Sequence, residues 1–219
     1  MPPLPAPEYD PPTDPLNVLH VDDDLLAVVK PDGLLSVPGR GPALADCLIA
    51  RLQAEYSGVL LVHRLDRDTS GVMIFARNPN AQRHLGLQFE NRQTRKLYVA
   101  RVAGVIPEDQ GRIDLPLRVD WENRPRQRVD HEEGRAAQTD WSVVTRGVAE
   151  TRVALTPLTG RSHQLRVHML TLGHPILGDT LYAEGAARDH SRMMLHAERL
   201  EVRHPTGGRW MTFEDAAPF

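Results

Sequence analysis

Apolar residues recur along this chain in two rhythms, and the rhythm assigns most of its elements. Residues 25–30 (LLAVVK), 59–62 and 72–76 are short apolar runs bounded by turn-forming residues, which predicts buried strands. Residues 96–105 alternate instead, with Tyr98, Ala100 and Val102 on one face and Leu97, Val99 and Arg101 on the other, the period of a strand. Stretches near 113–117, 139–144 and 151–158 also read as strands, and 193–213 as two more.

Helical spacing appears three times. Leu44, Cys47, Leu48 and Leu52 predict a core-facing helix over 43–55. Pro79 opens a second, running to about Asn91, with Ala81, Leu85 and Phe89 inward. Within 159–173, Ser162 is placed to cap a third whose buried stripe is Leu165, Met169 and Leu172, with Gly173 closing it and Arg166 off the stripe. Strands outnumber helices and do not alternate strictly with them, so the fold class is α+β, a mixed, largely antiparallel sheet with flanking helices. The proline-rich residues 1–17 offer too little apolar surface to offset ordering and read as a flexible tail, leaving 18–219 as one domain. Residues 118–135 mix charges without periodicity, the pattern of a long exposed connection or hairpin.

Composition narrows the function. A single cysteine, Cys47, excludes an internal disulfide framework. No apolar stretch is long enough to cross a bilayer and the start lacks a signal-peptide pattern, so a cytoplasmic protein without a membrane partner is expected. No heptad demands a dimer, and a monomer is expected. The net charge of −3 hides an asymmetry, because residues 1–24 hold six acids and no Lys or Arg. Arg92, Arg95, Lys96 and Arg101 lie in one acid-free run, and Arg152, Arg161 and Arg166 in another, a local basic face compatible with RNA.

The densest chemistry is in VHRLDRDTSG, residues 62–71, where two carboxylates, two guanidiniums and a histidine sit between two apolar runs. Metal catalysis has little support: His163 and His168 are five residues apart and share no helical face, and there is no HExxH. Asp66 to Thr69 differs by one position from the aspartyl-phosphate motif of haloacid-dehalogenase-type phosphatases. Asp68 to Gly71 carries one residue too many for an aspartic protease signature.

The segments HRLDRDTSG, KPDGLLSVPG, KLYVARV and GRSHQLRVHM followed by GHPILGDTLY resemble the RluA family of RNA pseudouridine synthases, over about residues 25–213. That resemblance implies a pseudouridine synthase fold without an S4 domain, and isomerisation of specific uridines in structured RNA, 23S rRNA and tRNA anticodon stem-loops, without metal or cofactor. It implies Asp66 as the catalytic carboxylate, Arg166 as its ion-pair partner and Tyr98 as the residue stacking on the uracil. Arg64 would fill the space the flipped base leaves, Leu195 would wall the uracil, and His63 would be a structural hydrogen-bonding residue. Arg67 replaces the smaller residues frequent at its position, which points to altered contacts at the pocket rim. Two other classes stay open: a noncatalytic RNA-binding or ribosome-assembly protein, and a carboxylate-based hydrolase.

Overall fold

In the computed structural model residues 9–219 are described. Strands β1 (Asn17–Val21), β2 (Leu25–Lys30), β3 (Leu60–Leu61), β4 (Ser70–Ala76), β5 (Arg95–Ala103) and β6 (Gln110–Asp114) come first, with helices α1 (Leu48–Glu55) and α2 (Pro79–Glu90) among them. Then follow β7 (Leu117–Val119), β8 (Gln127–Val129), β9 (Gln138–Arg146), β10 (Glu150–Pro157), α3 (Gln164–Thr171), β11 (Leu195–Arg203) and β12 (Trp210–Glu214). Ten strands form one sheet in the order β1-β2-β4-β11-β5-β10-β9-β6, with β3 paired to β4 and β12 to β11; β7 and β8 form a separate hairpin. Every pairing is antiparallel except β4 with β11. The expected fold class holds, and the described residues contain no S4-type unit.

The apolar runs became strands because both their faces are covered. Leu25, Ala27, Val72 and Ile74 pack with Ala81 and Leu85 of α2, while Leu26, Val28, Met73 and Phe75 pack with Leu48 and Leu52 of α1. Helix α2 starts as its sequence dictates: Pro79 sits in the first turn, and the Asn78 side chain accepts the Ala81 N–H. The parallel junction of β4 and β11 is tight. Gly71 has φ +116°, and a Cβ there would come within 2.3 Å of the Ala197 carbonyl oxygen. Beside it Ser70 Oγ lies 2.8 Å from His196 Nδ1, a bond across 126 residues of sequence.

Four expectations need correction. Helix α1 begins at Leu48, not at residue 43: the Leu48 and Ile49 N–H groups donate to the Leu35 and Ser36 carbonyls, which pins the helix start to the loop that follows β2. The stretch 113–117 is two strands in two sheets, parted at Pro116, which has no N–H to continue a ladder. Strand β1 was not foreseen; NVLHV is short, polar at its start and at the sheet edge. Of the expected tail, residues 1–8 lie outside the described residues. From Tyr9 on the chain lies against the body, the Tyr9 hydroxyl accepting the Leu35 N–H and donating to the Asp46 carbonyl, and Leu16 packing near α1.

Candidate active site

The loop between β3 and β4 carries Asp66, and its backbone is held on both sides of that residue. Ser36 Oγ donates to the Leu65 carbonyl at 2.7 Å and accepts the Leu65 N–H at 3.2 Å. Lys30, fully buried, donates to the carbonyls of Pro31, Leu34 and Arg67, each at 2.7 Å. The KPDGLLS segment thus supplies the two side chains that fix the backbone of Leu65 and Arg67, the residues on either side of Asp66. A turn closes the loop, with the Thr69 N–H donating to the Asp66 carbonyl. His63 stacks on Phe89 and accepts the Ile74 N–H through Nε2 at 3.1 Å, and burial pushes its pKa down to about 3. It is a neutral hydrogen-bond acceptor.

Opposite this loop stands α3. It is not the amphipathic helix its spacing suggested, for Gln164 through Met169 are all buried and Leu172 is exposed. The polar members are satisfied inside: Gln164 bonds Thr159, Gln138 and Thr139, and His168 bonds Thr139 and the Leu115 carbonyl. Its end is the expected one. Gly173, at φ +89°, donates to Leu170 O and His174 N to Met169 O, a Schellman closure. Its start is not, since the cap is His163 in the left-handed region at φ 53°, while Ser162 Oγ lies 3.5 Å from Arg64 Nη2.

Arg166 reaches Asp66, with Nη1 3.3 Å from Oδ2, but its stronger bonds go elsewhere. Nε and Nη2 donate in a fork to the two oxygens of Asp179, each at 2.7 Å, and both residues are buried. Those bonds and the two carboxylates hold the guanidinium pKa above its ordinary value in spite of burial, so the cation is permanent. Asp179 is a residue that sequence reasoning missed. Its segment GHPILGDTLY carried the resemblance, yet nothing in it marks a buried partner for Arg166.

Tyr98 and Leu195 form the wall beneath Asp66. On paired strands β5 and β11, Tyr98 lies opposite Ala197 and Leu195 opposite Ala100, so two alanines leave the larger side chains room on a shared face. Burial, with the charge of Asp66, raises the Tyr98 hydroxyl well above its ordinary range and keeps it protonated. These residues, with Arg64, line one cleft of about 570 Å³. Its other cations are Arg92, Lys96, Arg135, Arg161 and Arg166, against the carboxylates Asp66 and Glu90. Only part of the expected basic face is there. Arg95 and Arg101 are paired with Glu201 and Glu150, and Arg152 lies against Phe219. Arg67 is also not at the rim: its guanidinium is turned onto Asp68, at 2.6 Å. Among the described residues no group of three or more His, Cys, Asp or Glu is placed to hold a metal ion, and no helix is long and apolar enough to cross a membrane.

A ribbon of buried sheet, a cation-lined cleft and one partly exposed carboxylate pinned at its base make a site suited to an anionic polymer and to chemistry on one of its units. The chain belongs to the RNA pseudouridylate synthase family, whose sequence profile matches residues 24–171. It is 51% identical, over 96% of its length and 98% of the relative's, to the dual-specificity RNA pseudouridine synthase RluA of Escherichia coli O6:H1. The protein of that name from Vibrio vulnificus is 52% identical over 90% of this chain and 82% of its own. Among solved structures, human RNA pseudouridylate synthase domain containing 1 superposes with a TM-score of 0.80 at 31% identity, over 96% of this chain and 87% of that one. The protein is therefore an isomerase that converts uridine to pseudouridine in RNA, and the noncatalytic alternative is not favoured.

Proposed function

We propose that Asp66 is the carboxylate that acts at the sugar of the target uridine, and that the RNAs are 23S rRNA and tRNA anticodon stem-loops. The carrying observation is that Asp66 alone in the cleft joins a partly exposed carboxylate, 29% accessible, to a backbone fixed on both sides and a permanent cation at 3.3 Å. The reaction breaks the N1–C1′ bond, turns the uracil and rejoins it through C5. The proton lost from C5 balances the one gained at N1, and no electrons are exchanged. A carboxylate beside C1′ serves either as nucleophile or as the counter-charge of the detached sugar.

The other residues divide the remaining work. Reaching C1′ and both faces of the base requires the uridine to leave its stack. Arg64, exposed at the cleft mouth, is suited to fill the vacated position and hold phosphates. Tyr98 offers its ring to the uracil, a contact of about 1 to 3 kcal/mol per base, and Leu195 closes the apolar side. The cleft cations other than the buried Arg166 are placed to follow the backbone, so affinity falls as salt rises. The relatives named dual-specificity support two RNA classes; the protein is read as a cytoplasmic monomer.

Release of tritium from C5 of labelled uridine, on unmodified tRNA and 23S rRNA transcripts, tests both parts. Wild type is expected to release it from both and Asp66→Ala from neither while still binding RNA. Turnover by Asp66→Ala would remove the carboxylate from the mechanism, and release from one RNA alone would remove the dual specificity.

A further inference from the structure

A second polar contact approaches the same oxygen of Asp66. His163 Nε2 stands 3.8 Å from Oδ2, the atom that Arg166 holds at 3.3 Å, and among the described residues Oδ1 has no hydrogen-bond partner. The geometry also fixes which nitrogen carries the proton. Tyr182 Oη accepts the Gln127 N–H at 2.7 Å and lies 2.8 Å from His163 Nδ1. Its own proton has no other acceptor among the described residues, so Tyr182 donates to Nδ1 and the imidazole N–H is on Nε2, facing Asp66. Burial keeps the imidazole neutral and raises the tyrosine hydroxyl to about 12, so both stay in those forms at neutral pH. The arrangement is built rather than incidental. His163 has a left-handed backbone, φ 53°, of the kind that clusters at functional sites. Asp179 also accepts the Tyr182 N–H, so one buried carboxylate orients both arms that converge on Oδ2.

We propose that His163 is a positioning residue for Asp66: its Nε2–H, fixed in that tautomer by Tyr182, closes onto Oδ2 when a bound nucleotide displaces water from the cleft. Oδ2 is then held between His163 and Arg166, and Oδ1 is the oxygen presented to the sugar. Hydrogen bonds of this kind are often long in the empty enzyme and shorten in the complex. The inference rests on Asp66 being the reacting carboxylate.

The test uses the full chain. His163→Asn suits the left-handed backbone and keeps an acceptor for Tyr182, but has no N–H at the ε position. It is expected to bind RNA and melt as wild type does, while its single-turnover rate falls about 10- to 100-fold, the scale known for partners that orient a metal-ligating side chain. His163→Gln, which returns an N–H there, recovers part of that rate. In the ¹⁵N spectrum of wild type, His163 is protonated at Nε2 alone, and Tyr182→Phe mixes the tautomers. A His163→Asn rate equal to wild type, or a proton found on Nδ1 of wild type, overturns the proposal. Should the Asn variant not fold, the ¹⁵N spectrum of wild type and the rate of Tyr182→Phe decide it. Asp66→Ala run in parallel separates the cases: if it turns over, the reading of Asp66 fails, whereas a dead Asp66→Ala beside a full-speed His163→Asn sinks only the role of His163.

Discussion

Lys30 and Arg166 are both cations taken out of water next to Asp66, and they are held in opposite ways. Lys30 makes no ion pair among the described residues and spends its three protons on backbone carbonyls. Arg166 is locked to one carboxylate and leans on a second. Burial pushes the lysine down to about 7, while the arginine keeps its charge at any accessible pH. One fixes the shape of the loop and the other the charge inside it.

If that division is right, the two sites fail differently when changed. Arg166→Met should cost most, since Asp179 is left buried and unpaired, about 3 to 5 kcal/mol, and Asp66 loses its cation. Adding Asp179→Leu should return most of the stability, measured by urea unfolding, and none of the tritium release. Recovery of activity by that pair would break the comparison. Lys30→Met should cost about 2 to 4 kcal/mol: three carbonyls lose their donor, at about 1 to 3 kcal/mol each where no water replaces it, and the removal of a desolvated ammonium returns part of that loss. Its loss of turnover should follow the fraction unfolded, and a large loss in fully folded protein would give Lys30 a share in the chemistry.

The pH dependence sharpens the contrast further. The folded pKa of Lys30 lies below its unfolded value of 10.5, so the unfolded chain binds more protons between the two. Stability from this group therefore rises as pH climbs from about 7 towards 10.5 and is lost on the way down. Unfolding curves of wild type minus Lys30→Met should show that slope, and a flat difference would mean that the ammonium is fully accommodated. The smallest effect belongs to Arg67→Ala. Only its carbonyl is used by Lys30, and its side chain forms a partly exposed pair with Asp68, so a change below about 1 kcal/mol and near-normal turnover are expected.

The parts of the molecule legible in sequence were those whose signal is local. The two-sided strands β2 and β4 show as unbroken apolar runs, the cap and proline of α2 sit side by side, and the Asp66 loop stands out as charge between hydrophobic residues. The resemblance then singled out Tyr98, Arg166, Arg64 and Leu195, which the structure brings to one cleft. What stayed hidden was polar and buried at long separation. Asp179, Tyr182 and His163 show no periodicity and no charge cluster, and their meaning comes only from Arg166 and Asp66 in space. Helix α3 misled for the same reason. A spacing argument assumes that polar residues face water, and Arg166 and His168 do not.

The bond between Ser70 and His196 spans 126 residues, and that between Asp66 and Arg166 spans 100. Chains are made from the N-terminus, at a pace far slower than local folding. The Asp66 loop thus leaves the ribosome long before α3 and β11 exist to receive it. A nascent chain that ends before residue 195 has neither the Leu195 wall nor β11, the strand against which Gly71 packs, and so the cleft is complete only late in synthesis.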